Sequence, residues 1–388
     1  MCVTEDCSDL EWDRMTVPDV VLVGYYGRGN FGDDVLMAVA HRIARSILPD
    51  ASIGVRLGSD VSYPSRLLGE NVIPVPFGSR DRHRLIIHGG GGTFFDFAHH
   101  SISERCVNAV LLIAGVNAFV RVEGWLRTFL KKPRMSAQKR IGLGIGVGTF
   151  SAGSGKLREA LPLLMDFDGL WVRDPVSKEN LDRLAVSAPI TLGSDLAFLS
   201  EGWCPEELLL QARPARLGRP KVGVVLRDWP VGSGPGFANA FGPVIAELSA
   251  QYDLTLISFD SATDAGTLRA LNDIPQVVWC PERMDLAKFS EVLSDHDVLL
   301  TSRAHGAICG ACLGRPSVIL DIEPKLKAVN SMLPRATRLV RPDSDSKTVV
   351  RLIEEALAIP IDSIVKDVMH NRTLAASALG EVLKGLNL

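Results

Sequence analysis

No stretch of this 388-residue chain approaches the roughly 18 consecutive apolar residues that a membrane-spanning helix needs. The first sixteen residues, Met1 to Thr16, are acidic and polar and lack the apolar core of an export signal. These two absences lead to the expectation of a protein made and kept in the cytoplasm. A basic excess is missing as well. The 42 Lys and Arg against 45 Asp and Glu leave a formal net charge of −3, without the global positive field that nucleic-acid binding uses, so nucleic acid is not an expected partner. Cysteine is sparse, with seven scattered residues. Cys309 and Cys312 have CxxC spacing but no second pair for zinc, and their small apolar neighbours mark them as core thiols. Gly155-Lys156-Leu157 has neither the spacing nor the hydroxyl of a P-loop, which disfavours ATP hydrolysis. No cluster of ligand residues calls for a metal, and none is expected.

What is present is the composition of an ordinary globular protein, 46% hydrophobic and 22% charged. At about 150 residues per domain the length fits two domains of similar size. Short apolar runs alternate with helical patterns: Val20 to Val23, Ser52 to Leu57, Val72 to Val75, Leu85 to Ile87, Ile141 to Val147, Leu170 to Val172 and Pro189 to Leu192. After the polar linker Gln211 to Pro220 the alternation restarts with Lys221 to Leu226, Leu254 to Ser258, Gln276 to Trp279, Val298 to Thr301, Ser317 to Leu320 and Arg338 to Val340. Helices through Val349 to Leu357 and Ile361 to Leu383 close the chain. The expected fold is α/β, with two doubly wound Rossmann-like domains over residues 17–210 and 218–345 facing a cleft, followed by C-terminal helices over 346–388. Ligands are expected in that cleft, at the carboxyl ends of both sheets.

Several strand ends carry chemistry. Thr301-Ser302-Arg303-Ala304-His305-Gly306 places a guanidinium and an imidazole two residues apart where a buried strand turns into a helix. That pairing suits anion binding and proton transfer, although a turn Arg capping carbonyls and a hydrogen-bonded His remain an alternative. The first strand runs into Gly24-Tyr25-Tyr26-Gly27-Arg28-Gly29-Asn30-Phe31-Gly32-Asp33-Asp34. Gly27, Gly29 and Gly32 satisfy GxGxxG, but no acidic residue ends the next strand, and Asp33 and Asp34 put negative charge where a pyrophosphate would lie. Two roles stay open for these carboxylates: capping the helix, or binding and deprotonating a sugar hydroxyl. Four glycines, Gly89 to Gly92, follow His88 and point to a backbone that approaches something closely. His88 itself reads as a proton carrier or a core histidine paired with a carbonyl. Arg173 and Arg227 stand at two further strand ends and can grip a carboxylate or phosphate; the alternative for Arg173 is an ion pair with Asp174 or Asp195. The basic stretch Arg121 to Arg140, interleaved with Trp125, Leu126 and Phe129, reads as a solvated amphipathic helix and loop, with contact to a membrane surface as the second reading.

Together these elements resemble the polysaccharide pyruvyl transferase family over roughly Val20 to Lys325. The resemblance implies a two-domain GT-B type protein. It further implies transfer of the enolpyruvyl group of phosphoenolpyruvate to two hydroxyls of a sugar as a ketal, on a bacterial polysaccharide or its lipid-linked precursor, with release of phosphate. Carried over by position, the family's catalytic His falls on His305, the Arg of its Arg-x-His motif on Arg303, the Arg of its Arg-Asp motif on Arg173, and a lysine on Lys325. The family often has a bulky apolar residue between that Arg and His, where this chain has Ala304. On this reading His305 is the general acid, and Asp33 or Asp34 orients or deprotonates the acceptor. Arg303, Arg173, Arg227, Lys325, Asn30 and the backbone of Gly90, Gly91 and Gly92 bind substrate. The first domain is the expected acceptor side and the second the phosphoenolpyruvate side, with no cofactor beyond that donor and with peripheral contact to the inner membrane as a further expectation.

Two rival readings share the same residues. One is a metal-independent GT-B glycosyltransferase that uses a nucleotide sugar. The other is a non-catalytic carbohydrate-binding protein on a decayed transferase fold, which intact Arg303, His305 and Lys325 disfavour.

Overall fold

In the computed structural model, residues 17–57, 61–92, 94, 135–148, 150, 155–212, 217–228 and 236–386 are described. Apolar runs flanked by turns become strands β1 (Val20–Val23), β2 (Ile53–Arg56), β3 (Ile73–Val75), β4 (Arg82–Gly89), β5 (Ser136–Ile145), β6 (Gly169–Val172) and β7 (Ile190–Leu192). They form one parallel sheet in the order β3-β2-β1-β4-β5-β6-β7. A second parallel sheet, in the order β10-β9-β8-β11-β12-β13, contains β8 (Lys221–Val225), β9 (Asp253–Ser258), β10 (Gln276–Val278), β11 (Val298–Thr301), β12 (Ser317–Leu320) and β13 (Thr337–Val340). β1, β6, β11 and β12 are buried along their whole length, as strands covered on both faces must be. In each sheet the winding reverses once, between β1 and β4 and between β8 and β11, which opens a crevice at the carboxyl ends of those strands.

All thirteen expected strands are present, and the differences lie at their ends. β4 starts at Arg82 rather than Leu85, and β5 at Ser136 rather than Ile141. Their first residues alternate exposed and covered positions, so an apolar run marks only their inner halves. β5 also stops early, at Ile145, and its register against β6 shifts between Gly142 and Ile145. Gly144 there has φ +63°, and a Cβ on it would lie 2.8 Å from the Leu196 backbone nitrogen. Glycine thus lets the segment after β7 lie against β5. The helix-and-loop expectation for Arg121 to Arg140 needs correction at its end. Residues 136–140 belong to β5, where Lys139 pairs with Asp168 at 3.1 Å and Arg140 with Asp166 at 2.9 Å. Residues 121–134, and with them the membrane-contact reading, lie outside the described residues.

The two closing helices go to different sheets. Ser346–Leu357 packs on β12 and β13, whereas Ile361–Lys384 crosses back to the first sheet. There Ser194 donates a 2.6 Å hydrogen bond to the Asn371 side chain, and Ala378 lies beside Gly193. The halves also meet at Phe31, whose ring inserts among Phe259, Trp279 and Phe289 with centroids 4.6–5.3 Å away. Its backbone N–H donates to Phe259 O at 2.9 Å. Aromatic burial of this kind contributes about 0.5–1.5 kcal/mol per ring pair beyond area alone, and here it joins two domains. Among the described residues no helix is long and apolar enough to cross a membrane.

Candidate functional site

Polar side chains collect where β1, β4 and β6 of one sheet face β8, β11 and β12 of the other. β11 ends in a turn made rigid by its own hydroxyls. Ser302 Oγ accepts from Arg227 N at 2.8 Å and donates to Arg227 O at 3.2 Å, which ties the β8 and β11 ends together. Thr301 Oγ1 accepts from Arg303 N at 3.0 Å, leaving Arg303 as the extended residue before the helix Ala304–Cys312. His305 therefore projects from the first turn of that helix. Its imidazole lies against the first domain, and a Cβ on Gly32 would stand 2.2 Å from Nδ1.

The three cations that the second domain brings to this spot, Arg227, Arg303 and Lys325, are each held by a buried carboxylate. Arg303 Nη2 donates to Asp264 and, at 3.2 Å, to Thr263 Oγ1. Arg227 Nη2 donates to Glu323, and Lys325 Nζ lies 3.2 Å from the same Glu323 oxygen. Burial, together with the Arg227 and Arg173 charges, brings the Lys325 ammonium down to about 8 against the pull of Glu323. Burial likewise lowers Arg303, with Asp264 opposing it.

On the first domain, Asn30 caps the helix Phe31–Ile47 by accepting from Gly32 N at 3.0 Å and Asp33 N at 3.4 Å. The two aspartates that follow part company. Asp33 is half-buried; burial raises its carboxyl, while His305, Lys325, Arg303 and Arg227 across the cleft lower it. Asp34 is buried and accepts from Trp279 Nε1 of the second domain at 2.9 Å, with the Tyr63 hydroxyl at 3.5 Å. Burial pushes it up to about 8, so at neutral pH it is largely protonated. Gly90 and Gly91 take left-handed φ of 69° and 77° and are bonded to the β5 end, through Gly90 N to Leu143 O at 2.7 Å and Gly146 N to Gly91 O at 2.9 Å. The space where a Gly91 Cβ would sit is 3.6 Å from Asp33 Oδ1, which brings the glycine run to the same spot. Gly92 is exposed at the end of that run.

Arg173, at the end of β6, makes both ion pairs open to it, with Asp174 and with Asp195, each at 3.3 Å. Asp174 also caps the next helix through Ser177 N at 2.7 Å. Asp195, with no exposed surface, accepts from Ala197 N at 3.1 Å and faces His305 Nε2 at 3.7 Å. That spacing is an ion-pair distance rather than a hydrogen bond.

The fold thus gathers Asp33, Arg173, Arg227, Arg303, His305 and Lys325, with the Gly90–Gly91 turn beside them. Asn30 and Asp34 border the group, but their side chains are engaged in the cap and in the Trp279 contact. His88 lies below it. Its Nε2 meets Arg140 Nη1 at 3.0 Å, not a carbonyl, and burial with Arg140 beside it keeps the imidazole well below the usual range, hence neutral. Cys309 and Cys312 are buried thiols, pushed up by burial. Four participants carried little sequence signal: Glu323, Asp264, Trp279 and, except as a partner for Arg173, Asp195. The one local cue is Ser194-Asp195 before the apolar Leu196 to Leu199, a helix-start pattern.

With this geometry in place, the model of the family described as polysaccharide pyruvyl transferase matches residues 30–324, which begin at the Asn30 cap and end one residue before Lys325. The chain belongs to the polysaccharide pyruvyl transferase family. Among curated proteins no sequence matches it. Solved structures share its fold, two of them over nearly the full length of both chains. HepE of Anabaena, in complex with UDP, is 11% identical with a TM-score of 0.54, covering 95% of this chain and 99% of that one. The UDP-GlcNAc 2-epimerase of Methanocaldococcus jannaschii is 12% identical with a TM-score of 0.52, covering 94% and 99%. The likeness extends over both domains, and the architecture of this pyruvyl transferase family member is that of GT-B proteins. Membership makes it a transferase of polysaccharide biosynthesis, with a sugar or polysaccharide as acceptor.

Proposed function

We propose that the protein transfers the enolpyruvyl group of phosphoenolpyruvate to two hydroxyls of one sugar and releases phosphate. The observation that carries this reading is the convergence of Arg173, Arg227, Arg303 and Lys325 with His305 and Asp33 in one cleft. A donor with a carboxylate and a phosphate needs several oriented cations, and a planar guanidinium suits both groups. His305, as imidazolium, gives a proton to the methylene carbon; a new C–H bond forms and C2 becomes cationic. One sugar hydroxyl adds at C2 and loses its proton to Asp33, the acid of the first helix turn that faces His305, Lys325, Arg303 and Arg227. The C2–O bond to phosphate breaks, the second hydroxyl adds at C2 and gives its proton to the neutral His305 imidazole, and the ketal closes. Proton transfer by a positioned group is worth about 10²–10⁴-fold in such a step.

The second reading, transfer from a nucleotide sugar, is favoured by the UDP held in HepE, a protein of the same fold. Thermal shift separates the two. Phosphoenolpyruvate is expected to raise the melting temperature where UDP- and GDP-sugars do not. The reverse pattern would replace the pyruvyl donor with a nucleotide sugar.

A further inference from the structure

Asp195 is a buried acid that the reaction scheme above does not use. It lies beyond β7 of the first domain, yet it faces two groups of the cleft at once. Oδ2 accepts from Arg173 Nη1 at 3.3 Å, and Oδ1 stands 3.7 Å from His305 Nε2 of the second domain. The Ala197 N–H donates to that same Oδ1 at 3.1 Å, and Gly144 is what lets this segment lie so close to β5. The opposite edge of the imidazole, at Nδ1, abuts Gly32. His305 is thus gripped at both edges by the first domain, although its own helix belongs to the second.

We propose that Asp195 is the positioning residue of the proton-donating histidine, holding the ring's orientation and its positive charge from across the domain boundary. This rests on the pyruvyl-transfer reading for what the proton is used for, but not for the pairing itself. Burial raises the Asp195 carboxyl, yet His305, Arg173 and the Ala197 N–H outweigh it and bring it down to about 2, so it stays ionised at any working pH. The other charges of the cleft are Asp33 on the Phe31–Ile47 helix, Arg173 with Asp174, and Arg227, Arg303 and Lys325 with their partners Glu323 and Asp264. Cys309, one turn further along the histidine's own helix, is a buried thiol raised by burial and therefore neutral. Asp195 and Asp33 both face the ring, and of the two only Asp195 is fully enclosed. In proton transfer to the donor carbon, His305 goes from imidazolium to imidazole while Asp195 remains a carboxylate throughout.

NMR titration of His305, its signal identified by its loss in His305→Ala, tests the pairing without any donor. In Asp195→Asn, which keeps the acceptor for Ala197 N–H, the midpoint is expected to fall by about one pH unit or more. In the phosphate-release assay kcat should drop about tenfold or more, with the alkaline limb of its pH profile displaced in the same direction. Asp195→Glu, which restores the charge, should bring the midpoint back. An unchanged His305 midpoint in Asp195→Asn, or a kcat lowered equally at every pH, would overturn the assignment. Should Asp195→Asn not fold, wild-type protein with ¹³C-labelled aspartate decides. The Asp195 carboxyl signal must step as His305 titrates, and a flat signal contradicts the pairing. Failure of pyruvyl transfer would show only as absent phosphate release and leave the titrations intact.

Discussion

The two walls of the cleft are built on opposite electrostatic plans. The second domain offers Arg227, Arg303 and Lys325, each oriented by a buried carboxylate of the same domain, Glu323 or Asp264. The first offers mainly acids, Asp33 and Asp195, with Arg173 held between Asp174 and Asp195. Under the proposed reaction the cationic wall suits an anionic donor and the acidic wall a neutral, hydroxyl-bearing acceptor. His305 belongs by sequence to the cationic wall and by contact to the acidic one. Neither domain alone assembles this group, since His305 comes from one domain and meets Gly32 and Asp195 of the other.

Crowding the seam between the walls should have the largest effect. Gly32→Ala places a methyl where the His305 ring lies, and displacement of a catalytic group by about 1 Å can lower kcat by about 100-fold. Steady-state phosphate release with far-UV circular dichroism checks that activity, not folding, is lost. Next is the cationic wall itself. Glu323→Gln removes the one carboxylate that orients both Arg227 and Lys325. The KM for phosphoenolpyruvate is expected to rise about tenfold, equivalent to about 1.4 kcal/mol, with a smaller change in kcat. An unaltered KM would mean that the pair does not touch the donor.

pH sharpens the same contrast. Lys325 is lowered to about 8 from the usual 10.5 of lysine, so its charge is present below that value and lost as pH rises through it. Donor affinity should weaken severalfold between pH 7 and 9, as fluorescence or calorimetric titration would register. Asp34 gives the smallest effect, on stability. Its carboxyl is raised from 3.8 to about 8, so the stabilisation of the protonated form is fully present below about pH 4 and lost as pH rises through about 8. Asp34→Asn imitates the protonated acid at the Trp279 contact. Urea unfolding at pH 5 and pH 9 should show a smaller loss for the variant than for the wild type.

The strand pattern was open to reading because parallel strands buried on both faces are uninterrupted apolar runs, as Val298 to Leu300 and Val20 to Val23 are. The cations were equally accessible, since Arg173, Arg227 and Arg303 each directly follow or nearly follow such a run. Their acids were not. Asp264 is 39 residues from Arg303, and Glu323 is 96 from Arg227, so the pairing is a product of winding order rather than of spacing. The same holds for Trp279, which meets Asp34 across 245 residues. Local pattern offers Asn30 as a substrate group and Asp34 as an acceptor-orienting acid or a cap, and it does not show the contacts they make, the helix cap for Asn30 and Trp279 for Asp34. Gly32 fits a phosphate-binding fingerprint by sequence, whereas its space is filled by an imidazole.

Phosphate release from phosphoenolpyruvate, measured with a panel of lipid-linked and aryl glycosides for wild type and His305→Ala, tests the central claim most directly. Acceptor-dependent release in the wild type, reduced by about 10³-fold in a folded His305→Ala variant, is the result this account predicts. Release that persists undiminished without His305, or no release with any acceptor together with no thermal shift by phosphoenolpyruvate, would contradict it.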